Sequence, residues 1–147
     1  NRFVDSMPFV PSDNEKRAQR CKEIFSIQAS GLAKRIEHVG SNGVVVGISG
    51  GLDSTLALLV SVSAMKLLGK NNSDILGVTM PGFGTTDRTY QNAIDLMKSL
   101  GVTIKEISIK DACVLHMKDI EHDSLVKDKF FLTLQISTAS FLSVRVI

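Results

Sequence analysis

Between the apolar run Val44-Val45-Val46 and an apolar, helix-like segment lies Gly47-Ile48-Ser49-Gly50-Gly51-Leu52-Asp53-Ser54-Thr55. A glycine-rich turn from strand to helix is a place where a chain can bind phosphate. Adjacent glycines let the backbone approach an anion closely, the serine hydroxyls add donors, and the unpaired amides and dipole of a helix start favour negative charge. Asp53 is the informative oddity, because a carboxylate beside phosphate is repulsive unless a cation lies between them. Asp53 is therefore the candidate metal ligand, and the anion expected is a magnesium-bridged pyrophosphate such as ATP carries. The competing reading is structural: Gly50-Gly51 makes a tight turn, and Asp53 or Ser54 caps the helix.

Spacing separates this loop from two other phosphate cradles. A P-loop needs G-x-x-x-x-G-K-[ST], and no lysine occurs between Val39 and Met65. A dinucleotide fingerprint needs G-x-G-x-x-G, whereas the glycines here fall at 47, 50 and 51.

The elements that must position the loop alternate. Ser12 and Glu15 form a candidate capping box, after which Ala18, Cys21, Phe25, Leu32, Ile36 and Val39 recur at helical spacing until Gly40. Val44 to Ile48 reads as a buried strand and Leu56 to Leu68 as an apolar helix ended by Gly69. Ile75 to Met80 reads as a second buried strand closed by Pro81. Ala93, Ile94, Met97 and Leu100 mark the next helix, Val102 to Ile109 a third strand, and Asp111 a cap for a helix carrying Val114, Met117 and Ile120. Strands alternating with helices predict an α/β fold with an open, doubly wound parallel sheet and flanking helices.

In such sheets ligands sit at the carboxyl ends of strands, so the loops after Ile48 and after Met80 both qualify. Pro81-Gly82-Phe83-Gly84 is otherwise an ordinary turn, and Thr85-Thr86-Asp87-Arg88 equally resembles a capped helix start. His116 and His122 stand six apart, on different faces of a helix, which disfavours a metal site.

Composition supports one soluble domain: 147 residues, 44% hydrophobic and 22% charged. A net charge of +2 with interspersed signs gives no basis for a nucleic-acid partner. Cys21 and Cys113 lie far apart without C-x-x-C spacing, so neither zinc nor a redox pair is suggested, and both are expected to be buried. No apolar run of about eighteen residues and no leader pattern is present, so no membrane span is expected and a reducing cytoplasm fits.

Ser49-Gly50-Gly51-Leu52-Asp53-Ser54 resembles the SGGxDS signature of the ATP pyrophosphatases, which split ATP into AMP and pyrophosphate while adenylating a substrate. GMP synthetase, asparagine synthetase and the tRNA lysidine and thiouridine enzymes share it. Three further stretches are similar to the synthetase part of the glutamine-dependent NAD synthetases: Pro8-Phe9-Val10-Pro11 with Arg20 to Gln28 and Gly31-Leu32, Thr55 completing SGGLDST, and Thr79-Met80-Pro81-Gly82-Phe83-Gly84-Thr85-Thr86-Asp87-Arg88-Thr89. The likeness covers about residues 8 to 128.

That resemblance implies an adenine nucleotide alpha hydrolase-like, Rossmann-like fold. It also implies amidation of deamido-NAD by ammonia, with ATP as substrate and Mg2+ as cofactor. The ammonia would come from glutamine through a glutaminase domain not in this chain, and the family's members are homo-oligomers. It implies ATP contacts from Gly47, Ile48, Ser49, Gly50, Gly51, Leu52, Asp53 and Ser54, from Arg88, and from the main chain at Thr79 and Met80, with no side-chain nucleophile. The expected division is an entry segment at 1–11, the N-terminal part of the ATP-binding domain at 12–128, and an atypical apolar tail at 129–147. The family's later N-V-Q-A-R and G-T-G-D segments have no counterpart here. A fragment with an altered end is therefore expected, one that binds ATP but turns over poorly. The tail is expected to complete the sheet, to bury against a second subunit, or to be disordered.

Overall fold

The computed structural model describes residue 7, residues 9–121 and residues 145–146. The expectations for His122, Asp123 and the greater part of the tail fall outside those residues. Among the described residues no helix is long and apolar enough to cross a membrane.

Helix α1 spans Asn14–Val39. Its cap is Asp13 and not the expected Ser12: the Asp13 carboxylate accepts from the amides of Glu15 and Lys16 at 2.9 and 3.4 Å. Gly40 closes the helix at φ 70°, a left-handed conformation that glycine adopts without a Cβ penalty. Only Ala29, Ala33 and Ile36 are buried, and every residue from Asn14 to Ile24 is exposed. Cys21 is accordingly exposed, contrary to expectation. The apolar stripe continues along the helix beyond the point where the rest of the fold gives it anything to cover. Cys113 is buried, which raises its thiol pKa and leaves it poorly nucleophilic.

Strand β1 (Val44–Gly47) leads into helix α2 (Leu52–Leu67), and a 3-10 turn at Asn72–Asp74 precedes strand β2 (Ile75–Thr79). Helix α3 (Asp87–Leu100), strand β3 (Thr103–Glu106) and helix α4 (Lys110–Asp119) follow, and Arg145–Val146 forms a short β4. The sheet order is β3-β2-β1-β4, with β1, β2 and β3 parallel and β4 antiparallel to β1. The open parallel α/β arrangement is thus the one observed. Helix α2 begins four residues before the expected Leu56, and Ile109, not Asp111, occupies the cap position of α4.

One face of the sheet carries the core. Val44, Val46 and Ile48 alternate inward, the register sets Ile75 and Gly77 beside them, and Ala33, Ile36, Leu58, Ala64, Met65, Ala93 and Met97 close over them. Gly77 lets α3 settle close to the sheet, because a Cβ there would fall 2.5 Å from Met97 Sδ. Ser61, fully buried in α2, satisfies its hydroxyl on the Ala57 carbonyl at 2.8 Å. The opposite face is less covered: Val45 and Leu76 are half-buried, and Thr103 and Lys105 are exposed.

Candidate functional site

The core anchors both ends of the nine-residue loop. At its start, the Ile48 amide donates to the Val78 carbonyl at 2.8 Å and the Ile48 side chain is buried, so only its main chain can reach a ligand. At its end, Leu58 fixes α2 in the core. Between them Gly50 takes φ 83°, and a Cβ on it would lie 2.0 Å from the Thr89 carbonyl oxygen. Gly50 is therefore required both by its dihedral and by the close approach of α3.

Gly51 is the N-cap of α2 and has no side chain to offer, so neither Asp53 nor Ser54 caps the helix as the structural alternative supposed. The serines instead tie the loop together. Ser49 Oγ and Ser54 Oγ lie 3.1 Å apart, the Ser49 amide donates to Ser54 Oγ, and the Gly51 amide donates to Ser49 Oγ, both at 3.3 Å. Ser54 and Thr55 hydroxyls both donate to the Gly51 carbonyl, at 3.0 and 2.9 Å. The amides of Gly50, Leu52, Asp53 and Ser54 meet no acceptor among the described residues. That leaves a row of donors at a helix start beside two hydroxyls, an arrangement suited to a polyanion.

Asp53 is exposed in the first turn of α2, where its carboxylate makes no hydrogen bond or ion pair among the described residues. No cluster of three His, Cys, Asp or Glu that could hold a metal occurs among those residues. Among the described residues Asp53 has no such cluster around it, which fits an ion shared with phosphate oxygens better than a structural cage.

The second loop presents main chain. The carbonyls of Thr79 and Pro81 are already used, accepting from the amides of Ile107 and Ile109 at 2.9 and 3.2 Å. The half-buried Met80 between them has both its N–H and its C=O unpaired among the described residues, so of the two expected main-chain contacts Met80 is the available one. Gly82 donates to Thr85 Oγ1 at 2.9 Å, and Thr86 caps α3 by accepting from the Thr89 amide at 3.3 Å. Arg88 is exposed in the first turn of α3 and unpaired among the described residues. Sequence reasoning missed two residues here: Tyr90 Oη donates to Glu106 Oε2 at 2.6 Å, a bond that favours the protonated phenol and raises the Tyr90 pKa.

The loop thus lies at the carboxyl ends of parallel strands with the amides of Gly50, Leu52, Asp53 and Ser54 unpaired among the described residues, and the NAD synthase family profile matches residues 24–133 around it. The chain belongs to the NAD synthase family. It is 49% identical over 121 residues to the glutamine-dependent NAD(+) synthetase of Mycobacterium leprae, covering 82% of this chain and 18% of that one. It is 36% identical over 104 residues to the NH(3)-dependent NAD(+) synthetase of Pyrobaculum aerophilum, covering 69% of this chain and 37% of that one. The structure of glutamine-dependent NAD+ synthetase from Acinetobacter baumannii in complex with ADP superposes with a TM-score of 0.63 at 25% identity, over 80% of this chain and 20% of that one. The chain therefore spans about a fifth of the length of these glutamine-dependent relatives.

Proposed function

We propose that this chain forms the nucleotide-binding part of an enzyme that converts deamido-NAD to NAD with ATP and ammonia. The observation that supports the reading is the set of amides of Gly50, Leu52, Asp53 and Ser54, which meet no acceptor among the described residues, beside the linked Ser49 and Ser54 hydroxyls at a strand's carboxyl end. The carboxylate of deamido-NAD attacks the α-phosphorus of ATP and pyrophosphate leaves. Ammonia then displaces AMP from the adenylate to form the amide, a proton passing to solvent. These residues hold and neutralise the departing pyrophosphate, so orientation and electrostatics suffice and no side-chain nucleophile is needed. Magnesium, held by Asp53, would supply charge neutralisation at the phosphates. Met80 offers a donor and an acceptor to the adenine edge, and Arg88 offers charge to the nucleotide. In the glutamine-dependent relatives the ammonia source is glutamine, which this reading assigns to a glutaminase domain outside this chain.

Calorimetric titration of Mg-ATP tests the assignment. Asp53→Ala should weaken Mg-ATP binding at least about tenfold, equivalent to about 1.4 kcal/mol, while leaving binding of ATP without magnesium little changed. Unchanged Mg-ATP affinity in that variant, or no heat with the unsubstituted chain, would remove the basis of the reading. AMP release that depends on deamido-NAD and ammonia separates this substrate from those of other ATP pyrophosphatases. Since the chain spans a fifth of its glutamine-dependent relatives, binding is expected of it without appreciable turnover, and robust NAD formation by this chain alone would contradict that.

A further inference from the structure

The phosphate loop rests on α3, and something must hold the first turn of α3 in place. Ala93 and Met97 anchor that helix in the core, but they lie one and two turns further on. Of the first-turn residues, Asp87 and Arg88 are exposed. Thr89 closes the turn on itself, its hydroxyl donating to the Thr86 carbonyl at 2.9 Å, and its own carbonyl faces the position where Gly50 lacks a Cβ. The next residue, Tyr90, is half-buried and reaches sideways to Glu106, the last residue of β3. Glu106 is itself fixed in the sheet by pairing with Thr79, at the edge from which the second loop departs. An O–H donor on a carboxylate at 2.6 Å is a short, charge-assisted bond. The connected path runs from the end of β3 through Glu106, Tyr90 and Thr89 to Gly50.

We infer that Tyr90 and Glu106 are positioning residues: their hydrogen bond holds the first turn of α3 against Gly50 and so keeps the loop amides convergent on one anion. The inference rests on reading residues 47–55 as the phosphate cradle. Neither residue touches the nucleotide in this scheme, so their effect passes through the order of the loop.

Backbone 15N relaxation on the nucleotide-free chain, with Mg-ATP calorimetry on the same samples, tests this. In Tyr90→Phe and Glu106→Ala the order parameters of Gly50 and Gly51 should fall from the rigid range of about 0.85 toward about 0.6. Mg-ATP affinity should weaken about threefold to tenfold, as for loss of one hydrogen bond. Glu106→Gln keeps an oxygen acceptor for the phenol without the charge and should restore both readouts in part, above Glu106→Ala. Unchanged order at Gly50 and Gly51 in both Tyr90→Phe and Glu106→Ala overturns the inference, even if the melting temperature falls, because the bond would then serve stability alone. Loss of order in a chain that binds no Mg-ATP before substitution would uphold the tether and refute the phosphate reading.

Discussion

Gly50→Ala is expected to cost about 2 to 5 kcal/mol of folding stability and to abolish measurable Mg-ATP binding. Two independent terms add. At φ 83° an alanine pays roughly 1 to 2 kcal/mol for the left-handed conformation. Its Cβ would also lie 2.0 Å from the carbonyl oxygen of Thr89 and 2.9 Å from the carbonyl carbon. Those are backbone atoms of a helix anchored by Ala93 and Met97, so relief requires the loop or the first turn of α3 to move, at about 1 to 3 kcal/mol. Either movement spreads the amides that must converge on one anion. Gly51→Ala is the control: its Cβ would meet only Ser49 Oγ, at 3.4 Å, and its φ is −90°, so the stability cost should stay below about 1 kcal/mol. Urea unfolding and calorimetry on the pair check this, and equal behaviour of the two variants would show that the Thr89 contact does not constrain the loop.

Leu58→Ala should produce a loss of comparable size by a different route. Leu58 has no exposed surface and belongs to the core shared by α1, α2, α3 and the sheet. Removing a fully buried isobutyl group typically costs about 2 to 5 kcal/mol through lost transfer energy and the cavity left behind. For a domain of this size that lowers the melting temperature by about 6 to 15 °C. Leu52, only six residues earlier in the same helix, is 83% exposed, and Leu52→Ala should change stability by less than about 0.5 kcal/mol. Thermal unfolding by circular dichroism distinguishes the two leucines, and similar melting of both variants would mean that α2 is not seated as described.

Much of this contrast was legible in the residues, and the parts that were not have identifiable causes. Glycine and serine spacing located the loop because backbone approach and hydroxyl donation require those residue types. It did not locate the start of α2. The apolar pattern begins at Leu56, whereas Leu52, Asp53 and Ser54 make the first turn and face no core, so no apolar periodicity marks them. Periodicity likewise tells which face of α1 is apolar but not how far along it the neighbouring α2 extends, which is why Cys21 was expected inside and lies outside. The ladder of β3 ends at Glu106 although the apolar run continues to Ile109, whose amide still reaches the Pro81 carbonyl. Tyr90 and Glu106 lie sixteen apart, on a helix and a strand that only the fold brings together. Nothing in their local sequence signals a pair.

The overhang of α1 has a thermal consequence. Its 26 residues amount to about 39 Å of helix against about 24 Å for the 16 residues of α2, and the turns before Ala29 bury almost nothing. A helical stretch that buries so little against the described residues is marginal in water, being sustained by propensity and by its Asp13 cap. Warming should therefore fray this arm from its amino end in a shallow, uncooperative slope, well before the central barrier to melting is reached. The ellipticity would decline early while the buried methionines Met65 and Met97 keep their native methyl resonances.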